Sequence, residues 1–288
     1  MVMSEQIVFL NGKYLPLSEA RVSVLDRGFV FGDGVYEVIP AYGGRLFRFD
    51  EHLRRLQASL DAIRLNNPYT AADWLDILTS LVKSDGPGDQ SVYLQLTRGV
   101  APSDHAFPDA VQPTVFAMAN PQPAPQPDLL EHGIAAVSLP DSRWQHCNIK
   151  SIALLANILL RQQAMDEQAT EAILIRDGLV TEGAASNVFI VEQGRIKTPL
   201  KDAHLLPGIT RDLIVELAQA NQIPCDETHL SEAQLIGADE VWLTSSTREI
   251  LPVTTLNHQP VGNGRPGPVW QKMYTIFQAY KTTLRNPA

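Results

Sequence analysis

Only two of the 288 residues are cysteine, Cys147 and Cys225, and neither stands in a CxxC pair, which excludes a disulfide scaffold and a thiolate zinc site. Both are expected as free thiols in a reducing, cytoplasmic setting. No apolar stretch reaches the ~18 residues of a membrane span, and the opening MVMSEQIVFLNGKYLP lacks the basic segment and apolar run of a leader, so no membrane partner is expected. Basic blocks are missing too. With 32 acidic against 23 basic residues and a net charge of -9, no patch suits a nucleic acid, and small molecules are the expected partners. No GxGxxG lies between a strand and a helix, which argues against a Rossmann sheet. There is no internal repeat, and His146-Cys147 is too small a cluster to bind a metal, so none is expected.

What is present is the composition of a globular chain: 44% hydrophobic and 19% charged residues, over a length sufficient for two cores. IVFLNGKYLPL (7–17) reads as a hairpin around Asn11-Gly12, and GVYEVIPAY (34–42) with GRLFRF (44–49) as a second pair of strands around Gly43-Gly44. Leu53, Leu56, Leu60 and Ile63 recur at helical spacing behind acidic residues, predicting a helix over 50–65; another is expected near 71–84, then strands at 91–99 and 114–119. Four prolines in NPQPAPQPD (120–128) mark a linker between an N-terminal domain, 1–119, and a C-terminal one, 129–288. The second half alternates again: a strand at 133–139, a helix after Lys150, several strands over 171–199, a helix at 210–223, a helix near 231–236, a strand at 240–246 and a closing helix from about 268. Mixed elements with hairpins predict an α+β or mixed α/β fold in two domains.

Lys150 precedes an almost wholly apolar run. A helix N-terminus there would repel its charge and apolar neighbours would disfavour it further, which suits a nucleophilic, Schiff-base lysine. The alternative is a surface lysine whose stem lies along the helix. Downstream, Glu182 precedes four small residues, Gly183 to Ser186, that would let a flat ring approach the backbone. In LPGITRDLIVEL (206–217) a Pro-Gly turn delivers Ile209 and Thr210 to a helix start that suits an anion, with Thr210 as a simple N-cap the alternative. The hydroxyl-rich TSST (244–247) and Arg55, which lies off the leucine stripe and so is free to reach out, complete a possible phosphate cup. His52 and His132 have no evident role, and Trp74, Trp144, Trp242 and Trp270 read as core residues, Trp144 being nearest the lysine.

Taken together, DRGFVFGDGVYEV (26–38), EHLRRL (51–56), TRGVAPSDHAFP (97–108), RWQHCNIKS (143–151), EAILIRDGLVTEGAASNVFIV (171–191), LPGITRD (206–212) and TSSTREILPV (244–253) resemble the fold-type IV pyridoxal-phosphate aminotransferases, most closely the D-amino acid (D-alanine) group. The resemblance implies a smaller N-terminal α/β domain, a larger C-terminal domain with a barrel-like sheet, and a homodimer that transfers amino groups between an amino donor and a 2-oxo acid by a ping-pong route. It further implies that Lys150 forms the Schiff base with pyridoxal 5'-phosphate and shuttles the substrate proton. Glu182 would hold the pyridine nitrogen, Leu206 would pack on the ring, and Arg55, Ile209, Thr210 and Ser246 would bind phosphate. Tyr36 and a His105 from the second subunit match a trap for the substrate carboxylate, with Val38 and Ser103 beside it. Branched-chain L-amino acid aminotransferases, (R)-amine aminotransferases and aminodeoxychorismate lyases share the cofactor residues and remain alternatives.

One position departs from the pattern. Where the D-amino acid group has an arginine two residues before the histidine, this chain has Ser103 followed by Asp104. A neutral hydrogen bond of about 0.5–1.5 kcal/mol then replaces a charged fork of about 1.5–3 kcal/mol, so weaker carboxylate binding is expected.

Overall fold

A computed structural model describes residues 5–84 and 88–285, in two compact units. The first comprises residues 1–124, 149–153 and 283–288, and the second 125–148 and 154–282. The division falls inside the proline-rich stretch, and the chain passes from the second unit into the first and back again around Lys150. Part of that stretch is nonetheless regular: Pro121 ends a strand, and Pro127 opens a helix at the N-terminal position, where a missing N–H costs nothing.

The first unit is built on a six-stranded antiparallel sheet of β1 (Ile7–Leu10), β2 (Lys13–Pro16), β3 (Gly34–Tyr42), β4 (Arg45–Leu46), β5 (Gln90–Thr97) and β6 (Thr114–Pro121), in the order β2-β1-β6-β5-β3-β4. Asn11 and Gly12, with φ of 48° and 85°, make the predicted tight hairpin. The second pair is shorter than its sequence suggests, because Arg48 turns left-handed at φ 46° and the chain enters a helix at Phe49. Among the described residues its α-helices are α1 (Arg27–Phe31), α2 (Phe49–Ala62) and α3 (Ala71–Ser84). Leu56, Leu60, Trp74, Leu78 and Leu81 from α2 and α3 pack on Val35, Ile39, Val92 and Leu94 of the sheet.

Period-2 alternation places Glu37 of β3 on the same inward face as Val35 and Ile39. A buried carboxylate is tolerable only when paired, and α2 supplies the partners: Arg55 Nε and Nη2 each donate over 2.8 Å to its two oxygens, and His52 Nδ1 lies 2.8 Å from Oε2. Burial keeps His52 below its usual pKa, so the neutral ring donates from Nδ1. Its Nε2 is buried without a hydrogen-bond partner.

The second unit has a nine-stranded mixed sheet: β7 (Ile134–Pro140), β8 (Glu171–Arg176), β9 (Leu179–Gly183), β10 (Asn187–Glu192), β11 (Arg195–Pro199), β12 (Cys225–Thr228), β13 (Glu240–Ser245), β14 (Glu249–Leu256) and β15 (Gln259–Pro260). Its order is β12-β11-β10-β13-β14-β7-β8-β9, with β15 on β14; β12, β7 and β8 each pair in parallel with a neighbour. The sheet curls until β9 meets β10 and β11, giving the barrel-like form expected. Val188, Ile190, Val241, Leu243, Leu251 and Val253 fill one face. Five helices complete the chain: α4 (Pro127–His132), α5 (Leu155–Asp166), α6 (Ile209–Ala220), α7 (Glu232–Ile236) and α8 (Pro268–Arg285).

Replacing Glu37 by Gln removes the carboxylate that engages the buried Arg55 guanidinium twice and should destabilise the protein by about 3–5 kcal/mol in chemical denaturation. The apolar double variant Glu37→Leu with Arg55→Leu should recover most of the loss. A neutral Glu37→Gln variant would contradict this reading of the core.

Candidate active site

Lys150 lies in the first unit, on residues 149–153, which lie against the open edge of β3. The Tyr36 N–H donates to the Lys150 carbonyl over 3.0 Å, the Ile152 N–H donates to the Gly34 carbonyl over 3.1 Å, and Val35 bridges Ser151. β4 covers β3 only at Ala41 and Tyr42, which leaves this end of the edge available. The Lys150 N–H donates to Ser59 Oγ of α2 over 3.2 Å, so both neighbours grip the backbone while the side chain is half-buried. Its Nζ sits 4.1 Å from the centroid of the Tyr36 ring. This corrects the expected local environment. α5 begins only at Leu155, so no helix N-terminus acts on Lys150; the apolar run was legible, but strand-edge pairing claims its first residues.

Tyr36 and Val38 point to the outward face of β3, opposite Glu37, where Tyr36 stacks on Tyr93 with centroids 5.8 Å apart. Arg55 is a second correction. Expected to be free to reach a phosphate, it is 7% exposed and engaged twice by Glu37. His52, unassigned from sequence, belongs to the same network. Ser103 and His105 sit on an exposed loop between β5 and β6.

In the second unit Glu182, near the end of β9, is fully enclosed. Arg143 Nη1 donates to its Oε1 over 2.5 Å; the Leu206 N–H over 3.0 Å and Asn187 Nδ2 over 3.3 Å donate to Oε2. Arg143 is in turn held by Asp141, through contacts of 2.9 Å from Nε and Nη2, and by the His204 carbonyl at 3.1 Å. Burial pushes the Glu182 carboxyl up to about 7; Arg143 and the Leu206 amide pull it down, and Asp141 works against them.

Asn187 also joins Glu182 to the start of α6. Its Nδ2 donates to the Leu206 carbonyl over 2.9 Å, and a Cβ on Gly208 would lie 1.9 Å from its Oδ1, so only glycine fits at that turn. Gly208 is the N-cap of α6 and no side chain caps the helix, whose first residues, Ile209 and Thr210, are buried. Thr244, paired with Asn187 across β13 and β10, has a buried hydroxyl without a hydrogen-bond partner, whereas the Ser186 hydroxyl faces the Glu171 carboxyl. Ser246 is half-buried in the turn that follows β13.

The sequence-predicted Glu182, Leu206, Ile209 and Thr210 are thus gathered within the second unit, while Tyr36, Lys150 and Arg55 are carried by the first. Arg143, Asp141 and Asn187 were missed, although RWQHCNIKS contains the first of them. An arginine in a loop carries no signal of its own; the signal is a buried glutamate that demands a cation. Trp144, read as core, is 49% exposed, whereas the other three tryptophans are buried.

The sequence model described as "Amino-transferase class IV" matches residues 34–256. The chain belongs to the class IV aminotransferases. It is 41% identical over 271 residues to the D-alanine aminotransferase of Bacillus licheniformis, covering 94% of this chain and 95% of that one. It is 40% identical to the D-alanine aminotransferase of Staphylococcus haemolyticus over 274 residues, 95% and 97% of the two chains. Among solved structures it is similar to the branched-chain amino acid aminotransferase of Escherichia coli, with a TM-score of 0.91 at 27% identity, covering 96% and 94%.

This class IV aminotransferase therefore uses pyridoxal phosphate and acts on small molecules. The residues fit that cofactor: a primary amine on Lys150, an enclosed carboxyl for a pyridine nitrogen, an uncapped helix N-terminus for an anion, and the buried Thr244 hydroxyl without a partner.

Glu182 should be visible in the stability of the cofactor-free protein. Its folded pKa of about 7 exceeds the ordinary 4.5, so the folded state binds the extra proton between those values. Stability should increase as pH falls from about 7 toward 4.5, by a few kcal/mol, and be lowest above 7. Thermal melts of the wild type and Glu182→Gln check this: the variant should lose that part of the slope, and identical slopes would contradict the assignment.

Proposed function

We propose that this enzyme transfers the amino group of a D-amino acid such as D-alanine to a 2-oxo acid by a ping-pong route, as a cytoplasmic homodimer. The observation that carries the reading is the enclosed Glu182, held by Arg143 and the Leu206 amide, in a chain 41% identical to a D-alanine aminotransferase over nearly its whole length. Two free thiols suit a reducing compartment.

When bound, pyridoxal phosphate supplies an aldehyde and an electron-withdrawing ring. Lys150 would hold the cofactor through its amine and would carry a proton to and from the substrate Cα. Its backbone is held by β3 and α2, so only the side chain has to move. Glu182 keeps a proton on the pyridine nitrogen, and Arg143 favours the ionised form that this requires. The first turn of α6, with Ile209 and Thr210, binds the phosphate through backbone N–H groups and the helix dipole. Ser246 and the charge of Arg55, which stays tied to Glu37, add to that cup, and Leu206 packs against the ring.

On the substrate side, Tyr36 and Val38 line the amino-donor pocket, and His105 with Ser103 comes from the second subunit to meet the carboxylate. Ser103 favours a second reading, turnover of (R)-configured primary amines, because a neutral hydroxyl does not demand a carboxylate. A lyase of the aminodeoxychorismate type would instead release pyruvate with no amino acceptor present.

Protein purified from cells should be yellow, and borohydride should fix the cofactor on the Lys150 peptide, as read by mass spectrometry. D-Alanine should convert the bound cofactor to its amine form in a single turnover followed by absorbance; no conversion with any D-amino acid would defeat the proposal. Ser103→Arg should tighten D-alanine binding about tenfold, the difference between a neutral and a charged hydrogen bond. Unchanged affinity would show that Ser103 does not face the carboxylate.

A further inference from the structure

The loop that carries Ser103 and His105 has no regular structure, and residues 102–107 are all exposed. Two buried arginines nevertheless reach it. Arg27, 4% exposed, donates from Nη1 to the carbonyls of Asp104 at 2.5 Å and Ala106 at 3.3 Å, and from Nη2 to that of His105 at 3.4 Å. Three successive carbonyls therefore face one guanidinium. Arg98, also 4% exposed, lies 3.7 Å from the centroid of the Phe107 ring and donates to the carbonyls of Ile63 at 2.7 Å and Arg64 at 3.2 Å, at the end of α2.

Asp33 orients both arginines. Its Oδ2 accepts from Arg27 Nε and from Arg98 Nε, each at 2.8 Å, and its Oδ1 accepts from Arg98 Nη2 at 3.0 Å. Burial works against the Asp33 charge, but the two guanidiniums prevail and hold its carboxyl below the usual range. Asp26 fixes the start of α1: its carboxylate accepts from the Gly28 N–H at 2.8 Å, from Thr97 Oγ1 at 2.7 Å and from Thr114 Oγ1 at 2.6 Å. Arg27 therefore leaves a fixed point. Phe31, one turn on, packs on the His105 ring with centroids 5.4 Å apart.

We propose that Asp33, Arg27 and Arg98 are positioning residues that set the 103–107 loop, and through it His105, for recognition of the substrate carboxylate. The inference rests on the reading above that His105 meets that carboxylate. The grip is on backbone carbonyls and on one aromatic ring, not on the side chains of residues 103 or 105. Those two side chains can therefore change while the loop keeps its shape, which accounts for a serine at 103 on an otherwise complete frame. The frame determines where a recognising group stands, and the side chains determine what it recognises.

The test uses the holoenzyme and the variants Arg27→Lys, which keeps the charge facing Asp33 but loses the fork, and Asp33→Asn, which keeps the shape but not the charge. Amide hydrogen exchange should rise about tenfold across residues 103–107 and much less in the β3–β5 sheet, the loss expected for one charged hydrogen-bond network. In the D-alanine half-reaction, substrate Kd should rise about tenfold while the limiting rate stays within about twofold of wild type. Unchanged loop exchange in both variants would overturn the proposal, as would a limiting rate that falls in step with affinity. A wild-type enzyme giving no half-reaction with D-alanine would defeat the functional reading and not the frame, which the exchange rates would then decide.

Discussion

The proposed chemistry depends on a buried carboxyl, Glu182, whose charge is set by the groups around it and not by water. Glu182 is enclosed by β9, β10 and the Leu206–Gly208 turn, and an isolated charge there would be lost to protonation. Arg143 opposes that loss, but the same guanidinium is shared with Asp141, so its offset is partial. The result is a carboxyl balanced near neutrality. On the proposed reading, a pyridine nitrogen with its own positive charge would tip that balance toward the ion pair, so that one side chain would both recognise the cofactor and hold the ring proton.

The same solution recurs across the chain. Arg55 and His52 meet Glu37 inside the first unit and hold its carboxyl below the usual range, and Arg27 and Arg98 do the same for Asp33. Buried pairs of this kind contribute little net stability, since desolvation offsets most of the attraction. What they contribute is direction. On the proposed reading they fix Arg55 on α2, the 103–107 loop, and the carboxyl that would face the pyridine nitrogen.

Much of the architecture was legible in the sequence because it rests on local periodicity. The alternation in 34–42 and 91–97, the leucine spacing of 53–60 and the Asn11-Gly12 turn each determine an element without outside help. What was illegible depends on partners distant in the chain. Lys150 read as the head of a helix because apolar residues follow it, yet residues 150–152 pair with the edge of β3, a neighbour more than a hundred positions away. Arg55 read as free to reach a phosphate because it lies off the leucine stripe, and its partner Glu37 sits on a strand whose inward face could not be known to carry a charge. Arg143 went unnoticed for the same reason. Short elements such as α1, α4 and β12 lie below the length at which periodicity carries information. Lys150, Glu182 and the start of α6 stood out in the sequence because their residue types are tied to one chemistry; their neighbours did not, because an arginine or aspartate in a loop is tied to none.

The most direct measurement is the 15N resonance of the pyridine nitrogen in holoenzyme carrying 15N-labelled cofactor at neutral pH. The account predicts a protonated nitrogen in the wild type and loss of that proton in Glu182→Gln. An unprotonated nitrogen in the wild type, or a signal indifferent to residue 182, would contradict it.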